Sequence, residues 1–302
     1  MSAAARRVRL RALAKINLDL RVLHKRPDGF HEIRTVFQTI SLADSIEIAF
    51  SPARKTSIEL EQDVEIPGNL MLRAAAVVLE AMGKTGRVVM KLRKQIPIGG
   101  GLGGGSTDAA AVLRALPVLA GRVVPIPLLV RLASALGSDV PFFLFGGKAV
   151  GIGRGAELFP LPDGKARSAV VVAPGVQVST AAAYRNLGTQ LTAESARHAQ
   201  DGFSAAVWGR ESAMRNDFER VVFQQHPQLA ALKQRLIKAG ATTALMSGSG
   251  SSVFGLFRTK EDARRASKAF GNAASAVSLV SRRQYDRIWK RQLVPTYINQ
   301  SI

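Results

Sequence analysis

The stretch PIGGGLGGGSTDAA, from Pro97 to Ala110, decides how the rest of this sequence is read. Six of the seven residues from Gly99 to Gly105 are glycine. A strand-like run, Arg87 to Leu92, precedes them, and an alanine-rich helix is expected to begin near Ser106. Glycines let backbone N–H groups approach oxygen atoms closely, and the free N–H groups and positive dipole end of the helix favour a phosphate. A flexible linker has a similar composition, but linkers seldom sit between a β-like run and a capped helix. The loop is not a Walker A loop, because Ser106 follows Gly105 directly with no lysine to reach the terminal phosphates. A dinucleotide fingerprint fits such a run almost automatically, but no following strand offers an acidic residue for the ribose. The Ser106 and Thr107 hydroxyls either assist the phosphate or act as ordinary helix caps.

Working outward, KINLDLRV from Lys15 alternates in polarity. Ile16, Leu18, Leu20 and Val22 share one face of a strand, and Lys15, Asn17, Asp19 and Arg21 the other. Ser45 to Phe50 alternates likewise, and RPDG at Arg26 to Gly29 reads as a turn between extended pieces. Asn69 is an N-cap for the helix LMLRAAAVVLEAM, which Gly83 ends, and Leu128 to Leu136 is a further helix ending at Gly137. A turn-rich stretch from Gly146 to Ser168 places a domain boundary near 163, giving units 1–163 and 164–302, with the last strand free to return to the first. In the second unit Ala169 to Val172 reads as a strand, and Glu211 to Gln225 and Gln228 to Ala239 as helices. TTALMSGSGSSVFGLF is strand, turn and strand, Lys260 to Phe270 a helix, and Ala276 to Val280 a closing strand.

The chain has 302 residues and no cysteine, which excludes disulfides, thiolate metal sites and cysteine nucleophiles. His24, His31, His198 and His226 have no i, i+4 spacing for a shared metal. No signal-like or membrane-length apolar run is present, so a cytoplasmic protein with no membrane partner is expected. The net charge of +20 suits nucleic acid or small phosphorylated ligands equally, and also a plain solvated basic surface. The basic residues are spread along the chain without an aromatic RNA-binding motif, so no nucleic-acid partner is expected.

PIGGGLGGGSTDAA closely resembles the phosphate-binding motif of the GHMP kinases, written PxxxGLGSSAA. AKINLDL, Ala14 to Leu20, resembles that family's amino-terminal motif, and MSGSGSSVFGLF, Met246 to Phe257, its carboxy-terminal glycine motif. GSDVPFFLFGG, RPDGFHE, FQTISLAD and NDFE resemble the branch of the family that acts on a diphosphocytidyl substrate. The resemblance implies an α+β fold of two domains, a ribosomal-protein S5-like amino-terminal domain and a ferredoxin-like carboxy-terminal one. It also implies ATP and Mg2+ as cofactors and transfer of the γ-phosphoryl to the 2-hydroxyl of a methylerythritol, in the non-mevalonate route to isoprenoid precursors. Rival acceptors within the family are homoserine, mevalonate and sugars.

By the same resemblance Asp139 matches the family's catalytic aspartate and Lys15 the lysine beside it. On the residues alone, Asp139 reads as a cap or turn and Lys15 as an exposed strand lysine. The phosphate loop is implied for Pro97, Gly99, Gly100, Gly101, Leu102, Gly103, Gly104, Gly105, Ser106 and Thr107. The backbone of Gly101 and Gly103 to Gly105 would wrap the β-phosphate, and Ser106 is the favoured magnesium ligand if the protein supplies one. The small-molecule cytidyl diphosphate partner is implied for Asn17, Phe30, His31, Thr180, Tyr184, Ser247, Gly248 and Ser249. Phe30 and Tyr184 would sandwich the base, and His31 would read its edge. Read without the family, Phe30 is a core or turn residue and SGSG a hairpin turn.

Overall fold

The computed structural model describes residues 5–164, 167–188, 203–204, 206–207, 211–294 and 296–298. Strands β1 (Ala5–Lys25) and β2 (His31–Pro52) form a long antiparallel hairpin. They are joined at RPDG, where Arg26 N donates to Phe30 O and Gly29 takes φ +84°. Then come β3 (Ser57–Gln62), α1 (Leu70–Ala81), β4 (Gly86–Arg93), α2 (Gly104–Leu119), α3 (Ile126–Leu136), α4 (Phe142–Phe145), β5 (Lys148–Gly153) and β6 (Glu157–Pro160). The first sheet runs β1-β2-β4-β3, with a last strand, β11 (Thr296–Ile298), on the free edge of β1, β5 also on β2 and β6 on β5. Asn69 caps α1 by accepting from Met71 N, and Gly83 follows it at φ +58°.

The second sheet contains β7 (Ser168–Val172), β8 (Thr243–Met246), β9 (Val253–Phe257) and β10 (Ala274–Ser278) in the order β10-β7-β9-β8. This is the β-α-β-β-α-β ferredoxin-like arrangement. Its helices are α5 (Thr180–Gly188), α6 (Glu219–Gln225), α7 (Pro227–Lys238) and α8 (Lys260–Lys268). The chain then returns to the first sheet. Helix α9 (Arg282–Gln292) buries Tyr285 and Trp289 in the first core, and β11 (Thr296–Ile298) pairs with β1. A separate apolar cluster holds the two sheets together, with Ile16, Leu18, Val36 and Ile40 against Ala169, Val171, Leu245 and Phe254.

Two expectations need correction. Lys15 is not the exposed strand lysine that the residues alone suggest: it and its face-mates Asn17, Asp19 and Arg21 are between 0 and 3% accessible, because the second unit packs over them. Glu211 to Gln225 is not one helix. A short 3-10 turn, Glu211–Ala213, is followed by a stretch docked on β1 before α6 begins. Leu20 N donates to Arg215 O, Asp217 N donates to Leu20 O, and Asp217 Oδ2 accepts from Val22 N. The buried Arg21–Asp19 pair draws this stretch in further, as Arg215 N donates to Asp19 Oδ1 and Arg21 to Ala213 O. These bonds compete with the i to i−4 ladder and win.

Candidate active site

One cavity of about 1090 Å³ lies between the two sheets. Its wall brings together Lys15, Asn17, Phe30, His31, Gly101, Gly103, Ser106, Asp139, Thr180, Tyr184, Gly248 and Ser249 from stretches up to 234 positions apart. Of the other expected residues, Pro97, Gly99, Gly100, Leu102, Gly104, Gly105, Thr107 and Ser247 are not on this wall. Leu102 and Thr107 are buried. Helix α2 starts at Gly104 rather than near Ser106, and its cap is Gly103 at φ +72°, with no side-chain cap bond. Ser106 and Thr107 therefore stand inside the first helical turn and do not cap it. A Cβ on Gly103 would come within 2.7 Å of the Phe143 ring.

Lys15 is the hub. Its ammonium lies 3.3 Å from Asp139 Oδ2 and donates to Asn17 Oδ1 at 2.7 Å and to Gly101 O at 3.0 Å. Asn17 is held in turn: its Nδ2 donates to Thr35 Oγ1, and its Oδ1 accepts from Gly248 N at 2.9 Å. Ser247 Oγ donates to Gly101 O at 2.9 Å, so the phosphate loop and the SGSG turn share one acceptor. Asn216 secures that turn from behind, donating to Met246 O and Gly248 O. The lysine side chain is 4% accessible and that of Asp139 32%, so the ammonium is fixed by the protein while the carboxylate meets the cavity.

At the other end stand aromatic rings. His31 stacks on Tyr184 with centroids 4.9 Å apart and 23° between planes, and Tyr184 meets Phe218 edge-on. The half-exposed Phe30 ring carries the Arg154 guanidinium 4.6 Å from its centroid. Both expected aromatics are thus at the cavity, but the face of Tyr184 is covered by His31. Burial lowers the His31 imidazole pKa, with the charges of Lys25 and His24 adding to it. Burial pushes the Tyr184 hydroxyl pKa up, and Asp139 adds to this. Thr180 Oγ1 and Ser249 Oγ are 2.8 Å apart and tie α5 to the glycine turn.

The sequence reading missed Lys25, Arg154 and Arg185, three cations on the cavity wall. Arg154 had a signal: it stands between Gly153 and Gly155, both at positive φ, the residue pattern of a tight presenting turn. It also missed the support of the phosphate loop. Lys94 Nζ lies 2.5 Å from Asp44 and 3.0 Å from Asp108 in the first turns of α2, and Asp44 Oδ1 accepts from Gln95 N and Ile96 N. Two carboxylates share one ammonium here, and burial pushes the Asp108 carboxyl up to about 7 against the pull of Lys94. A raised carboxyl means that the folded state holds a proton that the unfolded chain has released. Stability from this group is full below the ordinary carboxylate range and is lost as pH rises to about 7. The urea midpoint should therefore fall between pH 5 and pH 8, and Asp108→Asn, which keeps the shape without the charge, should flatten that fall.

The GHMP kinases N terminal domain model matches residues 69–147, and the GHMP kinases C terminal model residues 206–276. A 4-diphosphocytidyl-2-C-methyl-D-erythritol kinase of Solibacter usitatus is 59% identical over 295 residues, covering 95% of this chain and 93% of its own. The chain belongs to the GHMP kinase family. A relative of the same name from Geobacter sulfurreducens is 40% identical and covers 87% of this chain and 94% of its own. A crystal structure of 4-(cytidine 5'-diphospho)-2C-methyl-D-erythritol kinase superposes with a TM-score of 0.74 at 38% identity, over 90% of this chain and 98% of that one. A homoserine kinase from Cytophaga hutchinsonii, at 19% identity and a TM-score of 0.69, shares the GHMP kinase fold. As a GHMP kinase the chain uses ATP, and the expected two-domain α+β fold is the one found. Among the described residues no helix is long and apolar enough to cross a membrane.

Proposed function

We propose that this GHMP kinase transfers the γ-phosphoryl of ATP to the 2-hydroxyl of 4-diphosphocytidyl-2-C-methyl-D-erythritol, in the cytoplasm and on the route to isoprenoid precursors. The observation that carries the reading is the Lys15–Asp139 pair set in one cavity between the amino end of α2 and an aromatic recess. The 59% identical relative bearing that enzyme's name supports the acceptor. The backbone N–H groups at Gly103 to Gly105 hold the β-phosphate, with the helix dipole behind them. Asp139 takes the proton from the acceptor hydroxyl as its oxygen bonds to the γ-phosphorus and the bond to the β–γ bridging oxygen breaks. Lys15, 3.3 Å away, orients the carboxylate and offsets charge growing on the attacking oxygen.

Magnesium would neutralise the triphosphate. Ser106, which lines the cavity from the first turn of α2, would supply a hydroxyl ligand to an ion that takes most of its ligands from phosphate and water. A cytosine seats between Phe30 and Tyr184 when the His31 ring turns off Tyr184, leaving its edge to read the base, and a neutral imidazole suits that task. Lys25, Arg154 and Arg185 meet the diphosphate. The domains act as separate halves, 1–163 with the returning α9 and β11 binding ATP, and the remainder of 164–302 closing over the acceptor.

The test is ADP release and product formation with ATP, magnesium and the cytidyl substrate, with homoserine in parallel and CDP as competitor. Turnover of the cytidyl substrate alone, inhibited by CDP, is expected. Turnover of homoserine in its place would reject the acceptor and keep the kinase.

A further inference from the structure

A second cleft, of about 820 Å³, is separate from the catalytic cavity and shares no lining residue with it. It sits on the seam between the sheets. Lys148 comes from β5 of the first sheet, Arg167 and Arg258 from the ends of β7 and β9 in the second, and Arg283 from the first turn of α9. Against these four cations stands one acid, Asp163, whose Oδ1 already accepts from Arg282 N.

The cations are poorly compensated. Among the described residues Lys148, Arg258 and Arg283 have no ion pair. Burial alone lowers the Lys148 ammonium pKa, with no carboxylate acting against it. Arg167, which donates to Thr242 Oγ1, is lowered by burial and by the like charge of Arg258. Gathering like charges in a half-buried recess is unfavourable unless an anion enters, and a recess with one sign of charge focuses its field on such an anion. The lining also includes the apolar side chains of Leu18, Met214 and Leu256.

We infer that this cleft binds a small compound carrying two or more linked phosphate groups, held between Lys148 of the first unit and the Arg167–Arg258 pair of the second. Two features favour a small ligand over a nucleic acid strand: the site is concave, and its lining comes from both sheets rather than following one helix. Its occupancy bridges the seam between the sheets and thereby ties the two units together.

The test is calorimetric titration of sodium tripolyphosphate into protein whose catalytic cavity is saturated with both a non-hydrolysable ATP analogue and CDP, so that neither its triphosphate nor its diphosphate subsite is open. One further equivalent should bind, more weakly as salt is raised, and Lys148→Gln combined with Arg258→Gln should weaken it by about tenfold or more. The double variant should keep its kinase activity, which shows that it is folded and that the first site is intact. Absence of the extra equivalent in the unmodified protein, or equal affinity in the double variant, would overturn the proposal. So would a single-stranded oligonucleotide that binds in preference to tripolyphosphate and is lost on changing Arg287 and Lys290 of α9.

Discussion

Asp139→Asn should reduce kcat by about 10²- to 10⁴-fold, the usual contribution of a positioned general base, with little change in the KM for ATP. The substitution keeps size and shape. Lys15 remains anchored by Asn17 Oδ1 and Gly101 O, so neither the phosphate loop nor the SGSG turn loses its support. Only the group proposed to receive the proton is removed. Steady-state kinetics separate the outcomes. A fall in kcat at constant KM supports proton removal by Asp139, and an unchanged kcat would mean that the hydroxyl loses its proton elsewhere.

Gly101→Ala should be damaging for a different reason. The added Cβ would fall 2.0 Å from Ser247 O and 3.0 Å from Gly250 O, both backbone atoms, on a residue held at φ +74°. Left-handed strain costs about 1–2 kcal/mol and overpacking about 1–3 kcal/mol, so a loss of about 2–5 kcal/mol is expected in denaturant unfolding. Because Gly101 O receives both Lys15 and Ser247, separating the two loops also misplaces the reacting groups, and kcat/KM should drop by at least about 10²-fold. Gly164→Ala, outside the loop, is the control, since a Cβ there also meets nothing within 4 Å. Equal behaviour of the two variants would show that crowding at the loop junction is not what matters.

The glycine loop, its helix and the capped α1 were legible because local chemistry dictates them: an unbroken glycine run, an Asn at the cap, a Gly after the last turn. The cavity was legible only through motif resemblance, since nothing local to Lys15 or Asp139 announces that they meet. Where periodicity misled, tertiary contacts had overruled it. The 211–225 stretch has helical composition, but its middle is claimed by hydrogen bonds to β1, a partner nearly 200 positions away. The polar face of β1 alternates as a solvated strand does, and its burial depends on a second domain that a local pattern does not encode. The start of α2 shifted by two residues because a left-handed glycine replaced the side-chain cap.

The return of the chain to its first sheet bears on how this enzyme is made. Tyr285 and Trp289 fill the amino-terminal core, and Tyr285 donates to Phe143 O, yet they are translated long after the strands they complete. A ribosome-bound chain therefore carries an unplugged first half while the second is synthesised. The later half is in effect an insert that folds within an unfinished host. A carboxy-terminal end cut away by a protease should cost the first domain its stability before the second, although the cut lies outside residues 69–147 and 206–276, the two segments that match the family.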